Sequence, residues 1–257
     1  MEDGKITVNI NSIKSLYIDI FYNEIKLASA TGFLVNKEND LYLITNRHVV
    51  TGRNNEDGQC LDSNMAIPNK LQVLFPYFKD GYYVWSNINI ELYKEEIPIW
   101  LEHPFYKDKV DVVAIYFGKY NQFQFCHNLI YDYKPIVTEN VFIIGYPFGF
   151  NVNPNDGRYA IWSTGTVASD PDLNLNINNE QLPAFLVDAK TRHGQSGSPV
   201  IYFKNAGMIR QQDGSHTWQS NATFGIGIYS GRINKDSDLG YVWKWHLIKE
   251  IIDNHKK

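Results

Sequence analysis

Short runs of β-branched and aromatic residues, closed off by Gly, Asn, Asp or Pro, recur along almost the whole chain. The clearest are KITVNI, LYIDIFY, ATGFLV, LYLITN, LQVLF, DVVAIYF, VFIIGY, YAIWSTGTVAS, AFLVDA, SPVIYF and ATFGIGIYS. About a dozen such runs with turn residues between them predict an all-β sandwich or barrel. Strands alternating with long helical patterns, which would signal a parallel sheet, are absent. Two regions break the pattern. Residues 242–255, VWKWHLIKEIIDNH, set Trp245, Ile248 and Ile252 at helical spacing and predict one amphipathic C-terminal helix. Residues 53–64 and 171–180 are polar and rich in Asn and Asp, so they read as exposed loops. A boundary between two halves falls near residues 120–134, where a strand ends and a polar connection begins.

At 257 residues the chain fits one large unit or two small ones sharing an interface. A hydrophobic fraction of 44% with 20% charged residues is the balance of a soluble protein that can bury a core. The 17 Tyr, 14 Phe and 6 Trp suit pleated, half-buried surfaces and reinforce the β reading. A net charge of −4 without a Lys/Arg run argues against a nucleic-acid partner. The first residues are acidic and lack the apolar core of a secretory signal. No stretch approaches the ~20 apolar residues that would cross a membrane. Cys60 and Cys126 make neither a disulfide framework nor metal-ligand spacing. The expectation is a cytoplasmic protein with two free thiols, no membrane or nucleic-acid partner, no metal and no cofactor.

Three segments could carry chemistry. The first reads Asp188-Ala-Lys-Thr-Arg-His-Gly-Gln-Ser-Gly-Ser-Pro199, with glycines flanking Gln195–Ser196. A serine hydroxyl is a poor nucleophile unless a base takes its proton and the developing oxyanion is held. Gly194 permits a tight turn that aims its own N–H and that of Ser196 at one point, an oxyanion hole worth ~3–4 kcal/mol per donor. Taken alone, an ordinary Gly/Ser hairpin turn explains the segment equally well. In LYLITNRHVVTG, His48 follows an apolar strand and can project into a cleft, although a lone histidine is more often structural. In KVDVVAI, Asp111 opens an apolar strand, and a buried carboxylate needs a partner. Together they occur in the order His, Asp, Ser, at intervals of 63 and 85 residues. That order suits a Ser-His-Asp triad whose first two members come from one barrel and whose serine comes from the next.

These segments resemble the trypsin-like serine peptidases, specifically the bacterial branch that includes the Deg proteases and the glutamyl endopeptidases. TGFLV with LITNRHVV is similar to the histidine segment and HPFYKDKVDVVAIYF to the aspartate segment. VFIIGYPFGF with IWSTGTVAS resembles the start of the second barrel, FLVDAKTRHGQSGSPVIY the nucleophile segment, and FGIGIYSGR the substrate-binding strand. The resemblance runs from about Ala30 to Arg232. It implies a serine endopeptidase with His48 as general base, Asp111 as the carboxylate that orients it and Ser196 as nucleophile. The N–H groups of Gly194 and Ser196 would form the oxyanion hole. Ser230 would bond the aspartate, and Tyr229, Ser230 and Gly231 would line the edge strand that pairs with a peptide. The implied fold is two antiparallel six-stranded β-barrels, residues 1–125 and 126–240, closed by a helix in 241–257.

Departures from the wider family carry further expectations. Gln195 stands where secreted members have an Asp that pairs with a freed N-terminus, so activation by that route is not expected. Lys190 would lie at the floor of the specificity pocket, with His193 and Arg192 close by and Arg232 at its rim. Such cations would favour an acidic side chain at the cleavage site unless they point to solvent. Beyond a protein or peptide substrate, a regulatory protein partner is expected. Two other readings stand. An α/β-hydrolase needs a G-x-S-x-G elbow and a later histidine, as His216 or His246 would be, on a helical scaffold that the pattern lacks. A non-catalytic peptide- or protein-binding module on a protease fold would keep the cleft without cutting.

Overall fold

A computed structural model describes residues 8–119, 125–131, 133–152, 157–211 and 213–255. After a short helix α1 (Asn11–Lys14), the N-terminal half contributes β1 (Ser15–Tyr22), β2 (Ile25–Lys37) and β3 (Asp40–Thr45). Helix α2 (Arg47–Thr51) follows, then β4 (Lys70–Lys79), β5 (Tyr82–Glu91), β6 (Tyr93–Lys94), β7 (Ile97–Pro98), β8 (Trp100–Leu101) and β9 (Val113–Lys119). Beyond them come β10 (Cys126–His127), β11 (Asn140–Gly145), β12 (Ile161–Val167), β13 (Leu175–Ile177), β14 (Glu180–Leu182) and β15 (Ala184–Ala189). The chain finishes with β16 (Pro199–Arg210), β17 (His216–Arg232), β18 (Leu239–Lys244) and α3 (His246–Asp253). Among the described residues no helix is long and apolar enough to cross a membrane.

The second half closes as expected, into a six-stranded barrel in the order β11-β12-β15-β18-β17-β16. The first half has more strands than expected. Its ladder is an eight-stranded sheet along the path β5-β4-β1-β2-β3-β9-β8, with β10 pairing in parallel to β2. Cys126 and His127 therefore sit in the N-terminal sheet, not at the start of the second barrel. Residues 120–124 of the anticipated boundary, and residues 5–7 of the KITVNI run, lie outside the described residues. Residues 8–10 lead into α1 without joining a sheet.

The apolar runs are continuous because strands near the middle are buried on both faces. In β3, Leu41 and Leu43 face the core of the N-terminal sheet, while Tyr42 and Ile44 face a second core shared between the halves. In and just before β9, Val113 and Ile115 divide from Val112 and Ala114 in the same way. The shared core also takes Ile228 and Trp243 from the second barrel and Leu247, Ile248, Ile251 and Ile252 from α3.

Two expectations are corrected here. The C-terminal helix begins at His246, because Val242–Lys244 belongs to β18. Val242 turns into the second barrel's own core and Trp243 into the shared core, a period of two that helical spacing had masked. Residues 171–180 are not simply a loop, since β13 and β14 pair across Asn178-Asn179. Both asparagines have positive φ, 52° and 65°, the conformation that a tight hairpin turn demands and asparagine tolerates.

Candidate active site

Antiparallel pairing of β3 with β9 sets Thr45 opposite Val113. The residues just after β3 and just before β9 are therefore neighbours, which brings His48 to Asp111. The Asp111 carboxylate is 2% exposed and accepts three hydrogen bonds. His48 N–H donates to Oδ1 at 2.8 Å and the Ser230 hydroxyl donates to Oδ2 at 2.5 Å. The third comes from His48 Nδ1, 2.6 Å from Oδ2. A carboxylate only accepts, so Nδ1 carries the proton and Nε2 is left as a lone-pair acceptor. The first of these bonds also makes Asp111 a cap for α2, whose own N-cap Asn46 makes no side-chain cap bond. Asn46 instead donates its amide to the Asp111 carbonyl at 2.6 Å and is itself fully buried. Both ends of Asp111 are thus fixed by the His48 segment.

The nucleophile segment is held by left-handed glycines. Gly194 has φ 92°, and a Cβ there would lie 2.3 Å from the Tyr146 carbonyl oxygen. Gly197 has φ 82°, and its Cβ would lie 2.1 Å from the Thr31 carbonyl oxygen. No other residue fits either position. Between them Gln195 is fully buried, accepting from Arg192 N–H at 2.8 Å and donating to the Ser163 hydroxyl at 2.9 Å. Thr31 of β2 reaches across from the other half. Its hydroxyl donates to the Gly194 carbonyl at 2.8 Å, and its N–H donates to the Ser196 carbonyl at 2.9 Å. The N–H groups of Gly194 and Ser196 donate to nothing among the described residues.

His48, Asp111, Ser196, Tyr229, Ser230 and Gly231 line one cleft of about 650 Å³ between the halves. The Ser196 hydroxyl donates to the Ser230 carbonyl at 2.9 Å, and among the described residues no hydrogen bond joins it to His48. A carboxylate, an imidazole with a free Nε2 and a hydroxyl lining one cleft, with two unused N–H donors at and beside the serine, can carry out acyl transfer.

A family model for the trypsin-like peptidase domain matches residues 30–206, well over half the chain. The chain belongs to the trypsin-like peptidase family. The class that membership carries is serine endopeptidase, on the chymotrypsin-like fold. Rv3671c protease of M. tuberculosis in its active form is similar in structure, with a TM-score of 0.51 and 15% identity over 96% of this chain and 83% of that one. Its inactive form gives 0.50 and 16%, over 96% and 91%. A serine endoprotease from Yersinia pestis gives 0.52 and 12%, over 97% and 67%. None of the curated proteins matches. The family match ends before β17, so Ser230 and the edge strand lie beyond it.

In this peptidase the cationic pocket looks different from the expectation. Lys190 is exposed and does not line the cleft; Thr191, 1% exposed, takes that place. The Arg192 side chain turns back to donate to the Thr191 carbonyl at 2.7 Å. Arg192, His193 and Arg232 all line the cleft. Tyr229 is buried, with its hydroxyl bonded to that of Thr191. Burial pushes the Tyr229 phenol up to about 12, against the Thr191 bond and the Arg232 charge. Glu56 reaches into the cleft from the loop after α2, its carboxyl raised by burial and by the charges of Asp57 and Asp111. Sequence reasoning missed Thr31, Asn46 and Thr191 as supports. Thr31 and Asn46 each interrupt or end an apolar strand, and a polar side chain at such a place needs a partner.

Proposed function

We propose that this peptidase hydrolyses peptide bonds in protein or peptide substrates through an acyl-enzyme, with His48, Asp111 and Ser196 as its triad. His48 Nε2 takes the Ser196 proton as Oγ attacks the scissile carbonyl carbon, and the N–H groups of Gly194 and Ser196 receive the oxyanion. The same proton passes from His48 to the departing amine. Water then adds to the ester, gives a proton to Nε2 and releases the carboxylic acid, and the proton returns to Ser196. The observation that carries this reading is the Nδ1–Asp111 bond, which supports His48 as a base whose free nitrogen shares a cleft with the serine.

The parked Ser196 hydroxyl supports a gated enzyme: it must leave the Ser230 carbonyl by turning to another staggered well before it meets His48. Gating by a partner, in a cytoplasmic setting suited to the free Cys60 and Cys126, belongs to the same reading. The internally satisfied Gln195 supports activity that does not depend on a freed N-terminus. The parked hydroxyl also favours the second reading, a non-catalytic binding module. A fluorophosphonate probe separates them. Labelling of the wild type and its loss in Ser196→Ala are expected, whereas a folded wild type that never labels, alone or with peptide, leaves only the binding module.

A further inference from the structure

The segment Ser230–Arg232 is hydrogen-bonded on one side only. Gly231 and Arg232 pair with Tyr241 and Gly240 of β18, while β16, on the other side of β17, pairs no further than Ile228. A peptide adding as a strand to that free edge, with a carbonyl at Ser196, directs the side chain of the attacked residue between the edge strand and the 191–195 segment.

That space has a floor. The Tyr229 ring, 2% exposed, runs from the base of the edge strand to the opposite wall, where its hydroxyl meets that of Thr191. The ring lies over Gly240, where an added Cβ would be 2.5 Å from Cε2, so glycine at 240 is what admits it. The two hydroxyls share one hydrogen bond, which leaves one of their two O–H protons without an acceptor among the described residues. Lys190 lies outside the cleft and Arg192 is turned to a backbone carbonyl, while Arg232 lines the cleft with its charge near the Tyr229 hydroxyl.

Building on the serine-peptidase reading above, we infer that Tyr229 plugs the specificity pocket, so that this enzyme cuts after small residues: alanine, serine or threonine. Leu, Phe, Arg and Glu are too long to seat without displacing the ring. The spare hydroxyl proton serves a serine or threonine side chain, the only small ones that can accept it.

Fluorogenic tetrapeptides differing only in the residue before the reporter test this on the full chain. The kcat/KM values for Ala, Ser and Thr are expected to exceed those for Leu, Phe, Arg and Glu by about tenfold or more, the size of effect that pocket fit produces. Tyr229→Val opens the floor and should raise Leu and Phe about tenfold relative to Ala. Tyr229→Phe keeps the ring and frees the Thr191 hydroxyl, so it should keep small over large and keep Ser and Thr level with Ala or above it. Phe, Arg or Glu cleaved as fast as Ala by the wild type would overturn the inference, as would an unchanged profile in a folded Tyr229→Val. Should that variant not fold, the wild-type ranking and Tyr229→Phe decide. Fluorophosphonate labelling separates the failures. A labelled enzyme that prefers large residues loses only the plug, and an unlabelled, inert chain loses both readings.

Discussion

Replacing Asp111 with asparagine swaps one carboxylate oxygen for an NH₂ group and changes almost nothing in volume. The hydrogen bonds decide which way the amide turns. If its oxygen took the Oδ2 place, its NH₂ would face His48 N–H, donor against donor. If its oxygen takes the Oδ1 place, that N–H stays satisfied, and the NH₂ faces both His48 Nδ1 and the Ser230 hydroxyl. The second arrangement gives the backbone N–H and both amide protons acceptors, but only if the Ser230 hydroxyl turns its own proton elsewhere, Nδ1 becomes the acceptor and the ring proton moves to Nε2. The base is then lost while the scaffold stays. Stability should change by no more than about 1 kcal/mol, the scale of one altered hydrogen bond. Turnover should fall on the order of ten-thousandfold, as the equivalent change does in a well-studied triad, about 5 kcal/mol of transition-state stabilisation. Hydrolysis of the best tetrapeptide gives kcat, the urea midpoint gives stability, and histidine ¹⁵N shifts report which ring nitrogen is protonated. A folded Asp111→Asn enzyme within tenfold of wild type, with its proton still on Nδ1, would refute the reasoning.

Thr31→Val keeps the shape of β2 but strands the Gly194 carbonyl that the hydroxyl holds. A loss of about 1–3 kcal/mol in urea unfolding is expected, with kcat lowered more than KM is raised, and unaltered kcat would argue against this brace. Cys126 offers a pH test. Burial pushes its thiol up to about 11, against the charge of Lys14, so at pH 8 about one molecule in a thousand carries the thiolate. Cys60, less buried than Cys126, should react with a disulfide reagent faster, and equal rates would contradict the burial. The linkage runs the same way. The unfolded thiol titrates near 9, so the urea midpoint should begin to fall as the pH rises past ~9, and the part due to Cys126, read against a Cys126→Ser control, should level off beyond ~11.

The β character and the three chemistry-bearing segments were legible because each rests on local pattern: short apolar runs closed by turn residues, flanking glycines, and polar residues at strand ends. The contacts that complete the site were not. Asn46 to the Asp111 carbonyl, Thr31 to Gly194 and Thr191 to Tyr229 each join residues far apart in the chain, and a single sequence holds no record of pairing. The misread helix start has a local cause. Val242, Trp243 and Trp245 are all buried, so their apolar run fits a strand between two cores as well as a helix, and only the neighbouring strands decide. Lys190 failed for the opposite reason: counting back from the serine gives a position in the chain, while the backbone turn at Thr191 decides which side chain faces inward.

Thr31 belongs to the same half of the chain as the base, yet it grips the loop that carries the serine from both sides of Gln195. A peptidase assembled from two barrels invites the picture of a jaw, with chemistry that slackens whenever the barrels drift. Here the strut from β2 ties the serine loop to the N-terminal sheet as well as to its own barrel, so the distance between hydroxyl and imidazole is set by bonds that cross the seam.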